Sequence, residues 1–183
     1  MVSNNTINSF EQVINECRSL FLKKTQDYGT AWRILRLSSI TDQIYIKAKR
    51  IRSIQEKGTQ KINEDINDEF IAIINYCIIA LIQSTLMENN QLELPTEEVM
   101  NNYDLFVATT RDLLDNKNHD YDEAWRDMRV SSMTDIILMK ILRTKQIEDN
   151  QGKTLVSEGV VANYQDMINY SIFCLIKLKE IKN

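Results

Sequence analysis

Two short runs place oxygen-bearing side chains on one face of an otherwise apolar segment. In the first, Glu64, Asp68 and Asn75 stand at i, i+4 and i+11. On a helix these fall at about 0°, 40° and 20°, one narrow stripe. In the second, Glu158, Asp166 and Asn169 stand at i, i+8 and i+11, at about 0°, 80° and 20°. Ala162 replaces Asp68 and Ala72 replaces Asp166, so each run keeps one of two aspartates. Acids and amides within apolar sequence are costly unless paired, solvated or bound to a metal. Oxygen-only donors suit Mg²⁺ or Mn²⁺, so Glu64, Asp68, Glu158 and Asp166 are the candidate metal ligands. A plainer reading stands beside this one. Glu64 and Glu158 favour a helix N-terminus, and Asn75 and Asn169 make one interhelical hydrogen bond each.

Lys47 with Arg50, and Lys140 with Arg143, are cations at i, i+3 that share a helix face. Such pairs can hold phosphate oxygens, arginine in bidentate fashion. They can equally be an exposed face paired with Asp or Glu. Tyr28 with Trp32, and Tyr121 with Trp125, can stack on a base or plug the end of a bundle. With Asn75 and Asn169 they complete the candidate nucleotide-binding set. Arg33 and Arg126 are read as partners of Asp27 and Asp120. Ser39-x-x-Asp42 and Ser132-x-x-Asp135 fit capping boxes, and so does Ser9 with Gln12.

The elements that must position these residues come from an internal repeat. DYGTAWRILRLSSITDQIYIKAKRIRSI (27–54) recurs 93 positions later as DYDEAWRDMRVSSMTDIILMKILRTKQI (120–147), identical at 14 of 28 positions. Upstream, Phe10, Val13, Ile14, Cys17, Leu20 and Phe21 align with Tyr103, Phe106, Val107, Thr110, Leu113 and Leu114, an amphipathic helical pattern. Downstream, one inserted residue near Gly152 makes the offset 94 and sets Asn75-Tyr76 on Asn169-Tyr170. Each copy therefore reads helix, aromatic loop, helix, glycine-containing loop, helix. The helices are expected over 9–26, 40–56 and 64–87, then over 97–116, 133–148 and 158–181. The expected fold is all-α, a six-helix bundle of two pseudo-two-fold-related three-helix repeats. The repeats span 1–87 and 97–183, joined by a polar link over 88–96 that carries the only proline, Pro95. The third helix of each copy is apolar nearly all round and should lie at the centre.

Composition narrows the function classes. A net charge of −4 argues against non-specific nucleic-acid binding, which needs clustered cations. Cys17, Cys77 and Cys174 form no C-x-x-C pair and read as buried thiols in a reducing compartment. The longest apolar run, 70–82, is too short to span a membrane and contains Asn75. The start of the chain lacks the pattern of a signal peptide, so a cytoplasmic protein is expected. His119 has no counterpart in the first copy, which argues against a histidine-based dyad or zinc site. No phosphate-binding glycine loop or nucleophile elbow occurs.

The order Asp-Tyr-x-x-Ala-Trp, Lys-x-x-Arg, a glycine loop, then an acidic stripe ending in Asn-Tyr resembles the nucleotide-modification-associated domain, type one, twice over. That resemblance implies a role linked to nucleotide metabolism and brings no established reaction. The chain is more distantly similar to all-α nucleotide pyrophosphohydrolases of the MazG and dimeric dUTPase type. These bind Mg²⁺ through E-x-x-E and E-x-x-D pairs and cleave nucleoside triphosphates to monophosphates. Here Glu64-x-x-x-Asp68 and the divided Glu158…Asp166 depart from that pattern. The expectation is a protein that binds a nucleotide or modified nucleotide with Mg²⁺ and hydrolyses a triphosphate at the α–β bond. It would be a monomer with an internal pseudo-dimer, or a homodimer. The rival is a non-catalytic binding or scaffold module whose polar stripes specify helix pairing.

Overall fold

A computed structural model describes residues 4–58, 65–121 and 123–182. The helices are α1 (Asn4–Tyr28), α2 (Leu37–Lys57), α3 (Ile66–Thr85), α4 (Thr96–Tyr121), α5 (Val130–Asp149) and α6 (Val160–Lys182). Short 3₁₀ turns over Ala31–Ile34 and Ala124–Asp127 separate the first and second helices of each copy. Among the described residues there is no strand. The fold is all-α.

α1, α2 and α5 start earlier than the apolar periodicity suggests, and this removes three expected caps. Ser9 lies inside α1, and Ser39 and Ser132 lie inside α2 and α5. Arg36 and Arg129 occupy the N-cap positions of α2 and α5 with no side-chain cap. Asp42 and Asp135 serve a different purpose. Asp42 of α2 pairs with Lys145 of α5 at 2.5 Å, and Asp135 of α5 pairs with Arg52 of α2 at 3.5 Å. The aspartate repeats because each copy reaches the cation of the other. Two caps do form at the glycine loop of the first copy. Gly58, at φ 66°, ends α2 in the left-handed conformation, its N–H on the Ile54 carbonyl. Asp65 caps α3 by accepting from the Asn67 N–H at 3.3 Å.

Packing follows the apolar pattern. α3 packs on α2 and α6, α6 packs on α5, and α2 packs on α5. The pattern of helix pairs is unchanged when α1, α2 and α3 are exchanged for α4, α5 and α6. Ile73, Ile74, Ile78, Leu81 and Ile82 of α3 are fully buried, with Met167, Ile168 and Ile172 of α6 beside them in one core. Each large aliphatic side chain so buried contributes about 1.5–3 kcal/mol of transfer free energy. α3 is long and apolar enough to cross a membrane, and 67% of that span is buried within the bundle. The three cysteines are buried and free.

The link wraps over the turn between α1 and α2. Thr30 donates Oγ1 to the Leu92 carbonyl at 2.7 Å and accepts from the Leu94 N–H at 3.0 Å. Arg33, buried at 6% exposure, donates Nε to the Gln91 carbonyl at 3.0 Å. Its other nitrogens reach the Asn89 carbonyl and the Gln83 side chain. Gly29 sits under this wrap at φ 66°, where a Cβ would meet the Glu93 carboxylate at 2.3 Å.

Candidate functional site

Two cavities open on the bundle, of about 610 and 380 Å³. They are lined by the same positions of the two copies. Phe21 and Lys24 of α1 in the first are Leu114 and Lys117 of α4 in the second. Ala31, Trp32 and Leu35 correspond to Ala124, Trp125 and Met128, and Lys47 of α2 to Lys140 of α5. From the central helices come Ala72, Asn75, Tyr76 and Ile79, matched by Asp166, Asn169, Tyr170 and Phe173. Every residue lining the second cavity thus has its counterpart in the first.

The equivalent lysines each meet a carboxylate from a different turn of the central helix. In the first copy Glu69, 2% exposed, accepts from Arg50 Nη1 at 2.7 Å, and Lys47 Nζ stands 3.5 Å from its other oxygen. In the second, Asp166, 6% exposed, lies between Lys140 at 2.6 Å and Lys117 at 2.5 Å. Glu69 aligns with Asn163, and Asp166 with Ala72, so the acid has moved one helical turn along the same face. A buried carboxylate without such cations would be costly.

The sequence-derived candidates divide accordingly. The first cavity gathers Tyr28, Trp32, Lys47, Asp68 and Asn75. The second gathers Trp125, Lys140, Asp166 and Asn169. Arg50 is turned to Glu69 and does not line the cavity. Arg143 is exposed and lies outside the second cavity. Glu158 is exposed in the loop before α6. Glu64 and the side chains of Asp120 and Tyr121 lie outside the described residues. The expected pairing of Arg33 with Asp27 is replaced by the link contacts. Arg126 is bound to Glu123 at 2.8 Å and to Thr6 at 2.5 Å.

Glu69, Lys24 and Lys117 escaped sequence reasoning. The two lysines repeat at the offset of 93, just before the stretch of highest identity between the copies. Glu69 carried no such signal, because Asn163 replaces it.

Both tryptophans are walls. Trp32 is 8% and Trp125 5% exposed, and neither indole N–H has a hydrogen-bond partner. Phe173 stacks on Trp125 at 4.3 Å between centroids, and the Arg126 guanidinium lies 4.5 Å from the ring centroid.

The metal expectation can be set against these donors. Among the described residues no three histidine, cysteine or acidic side chains converge. Glu69 and Asp166 are already neutralised by cations, while Asp68 is exposed at the first cavity. Mg²⁺ is commonly held by one or two carboxylates together with substrate phosphates. Among the described residues the donors fit a cation that takes further oxygens from a bound ligand better than one held by protein carboxylates alone.

Helical bundle, internal duplication and paired cavities define a duplicated all-α architecture. The chain belongs to the family described as nucleotide modification associated domain 1, which matches residues 24–84 and again residues 117–178. That description links the family to nucleotide modification. No curated protein and no solved structure matches the chain.

Proposed function

We propose that this is a nucleotide-binding protein of nucleotide metabolism, with one ligand site in each cavity. The observation that carries the reading is the repeated wall: two lysines, a tryptophan, an asparagine and a tyrosine at equivalent positions of two cavities. Cations suit phosphate, and the buried unpartnered indole donors suit a ligand acceptor. The family description points the same way.

The first cavity is the one suited to a triphosphate. It is the larger, and Asp68 faces it without a compensating cation among the described residues. A bound Mg²⁺ supplies charge neutralisation and activates water at a phosphoryl centre. Asp68, and Glu64 on the sequence expectation, are the residues to hold it. Lys24 and Lys47 orient phosphate oxygens there, and hydrolysis at the α–β bond is the reaction proposed for this site.

One observation favours the scaffold alternative. Asn75 donates to the Cys17 carbonyl at 3.1 Å and accepts from the Tyr103 hydroxyl at 2.9 Å, tying α3 to α1 and α4. The deciding experiment is a melting-point screen of nucleoside mono-, di- and triphosphates, with and without Mg²⁺, on the wild type and on Asp68→Asn. Ligands that bind the folded state raise the midpoint by mass action. We expect a Mg²⁺-dependent rise with triphosphates that Asp68→Asn removes, followed by pyrophosphate release from the stabilising nucleotide. A panel in which no nucleotide moves the midpoint, even at millimolar concentration, would leave the scaffold reading in its place.

A further inference from the structure

The two cavities share their positions but not the state of their amide. Asn75 is committed to the fold through Cys17 and Tyr103. Asn169, at the same position and only 4% exposed, has no partner on Nδ2 or on Oδ1. One residue accounts for the lost acceptor bond. Tyr103 of α4 is matched by Phe10 of α1, so the hydroxyl that fixes Asn75 has no counterpart for Asn169. A buried amide left with its bonds unmade is costly to the fold, and such groups mark sites of another kind of interaction.

Two further observations share the cavity with that amide. Trp125 Nε1 is a second buried donor without an acceptor. Among the described residues two lysines, Lys117 and Lys140, meet the single carboxylate of Asp166 at this wall.

We propose that the second cavity is a metal-independent site for a nucleoside monophosphate, its base edge on Asn169 and its phosphate on Lys117 and Lys140. This rests on the nucleotide reading above and makes it specific. An amide sets a donor beside an acceptor, the complement of the N–H and C=O along a base edge. A phosphate monoester carries about −1.5 to −2 charge near neutral pH, which two lysines can meet without a cation. A triphosphate would bring more negative charge into the smaller cavity, where among the described residues the only lining carboxylate is Asp166, already held by two lysines.

The competing occupant is an internal water. Thr110 and Ser171, fully buried with unpartnered hydroxyls, stand where the first copy has Cys17 and Cys77. A water among such groups would also satisfy Asn169.

Calorimetric titration of the full chain in EDTA decides between them. The ligands are the monophosphates of the four bases in ribo and deoxy form, with the free nucleosides and inorganic phosphate as controls. The variants are Phe10→Tyr, which supplies the missing hydroxyl, and Asn169→Leu, which removes the amide. We expect one base to be preferred about tenfold, the discrimination of one good two-point contact. Its monophosphate should bind more tightly than its nucleoside or phosphate. Both variants should weaken that binding about tenfold or more while melting at or above the wild type, since Phe10→Tyr gives the buried amide oxygen a partner and Asn169→Leu removes the amide. If Phe10→Tyr does not fold, Asn169→Leu carries the same test. Binding that survives both variants, shows no base preference or needs Mg²⁺ overturns this proposal and leaves the broader nucleotide reading standing. Absence of binding by any nucleotide, with or without Mg²⁺, overturns both.

Discussion

The Thr41 hydroxyl donates to Glu148 Oε1 at 2.7 Å, joining α2 of the first copy to α5 of the second. The equivalent contact is Gln55 Nε2 donating to Thr134 Oγ1 at 3.1 Å. A carboxylate and an amide thus occupy equivalent places at one interface. They differ in charge, and the carboxylate sits in a half-buried setting that disfavours ionisation.

Burial, with the nearby charges of Asp42 and Asp149, raises the Glu148 pKa, while the Thr41 and Tyr164 hydroxyls oppose the rise. The folded state therefore holds this proton more tightly than the unfolded chain. Its contribution is most favourable below the ordinary carboxylate range and is lost as pH rises through the folded value. Glu148→Gln should melt above the wild type at pH 7, with the gap closing toward pH 4. Melting curves of both proteins across that range check the sign. A gap that stays constant with pH would assign the effect to packing instead.

The sequence revealed the fold because the duplication does not depend on knowing any contact. Apolar positions repeat with helical spacing, and two all-round apolar helices have few places to go. The errors share one origin. Asp42 and Asp135 carry the local pattern of a cap, yet their partners Lys145 and Arg52 belong to the other copy. Glu69 was invisible because the acid shifted by a turn between copies. Asn75 and Asn169 look identical in sequence. Only the packing of α4 on α3, and of α1 on α6, shows that Tyr103 and Phe10 give their amides different surroundings.

Arg33 should matter more to stability than its equivalent, Arg126. Arg33 is buried and its guanidinium holds the link through the carbonyls of Gln91 and Asn89. Arg126 is more exposed and pairs with Glu123 and Glu180, the latter at the surface. Charge-assisted hydrogen bonds of the Arg33 kind contribute about 1.5–3 kcal/mol, and exposed ion pairs about 0–1 kcal/mol. Arg33→Ala should lose about 3 kcal/mol in urea unfolding, and Arg126→Ala about 1 kcal/mol. Arg33→Ala should also open the chain to protease cleavage between residues 86 and 94. Equal losses in the two variants, with the link still protected, would remove the clasp role from Arg33.

Asp166 tests whether the lysines of the second cavity are presented to a ligand. The carboxylate is nearly buried, Lys140 is largely covered, and Lys117 keeps substantial exposure. Asp166→Asn preserves shape but leaves both ammonium groups without their counter-ion. Removing one partner from a fully buried pair costs about 3–5 kcal/mol, and the exposure of Lys117 should reduce this to about 2 kcal/mol. An anion able to enter the cavity would then take the place of the carboxylate. Inorganic phosphate should therefore raise the melting point of Asp166→Asn well above the rise it gives the wild type, while chloride at equal ionic strength should not. The control is Glu69→Gln in the first cavity. There Lys47 and Arg50 are the freed cations, only Lys47 lines the cavity, and phosphate rescue should be weaker. If phosphate stabilises Asp166→Asn no more than the wild type, the ammonium groups serve the fold alone and phosphate binding must be sought elsewhere on the chain.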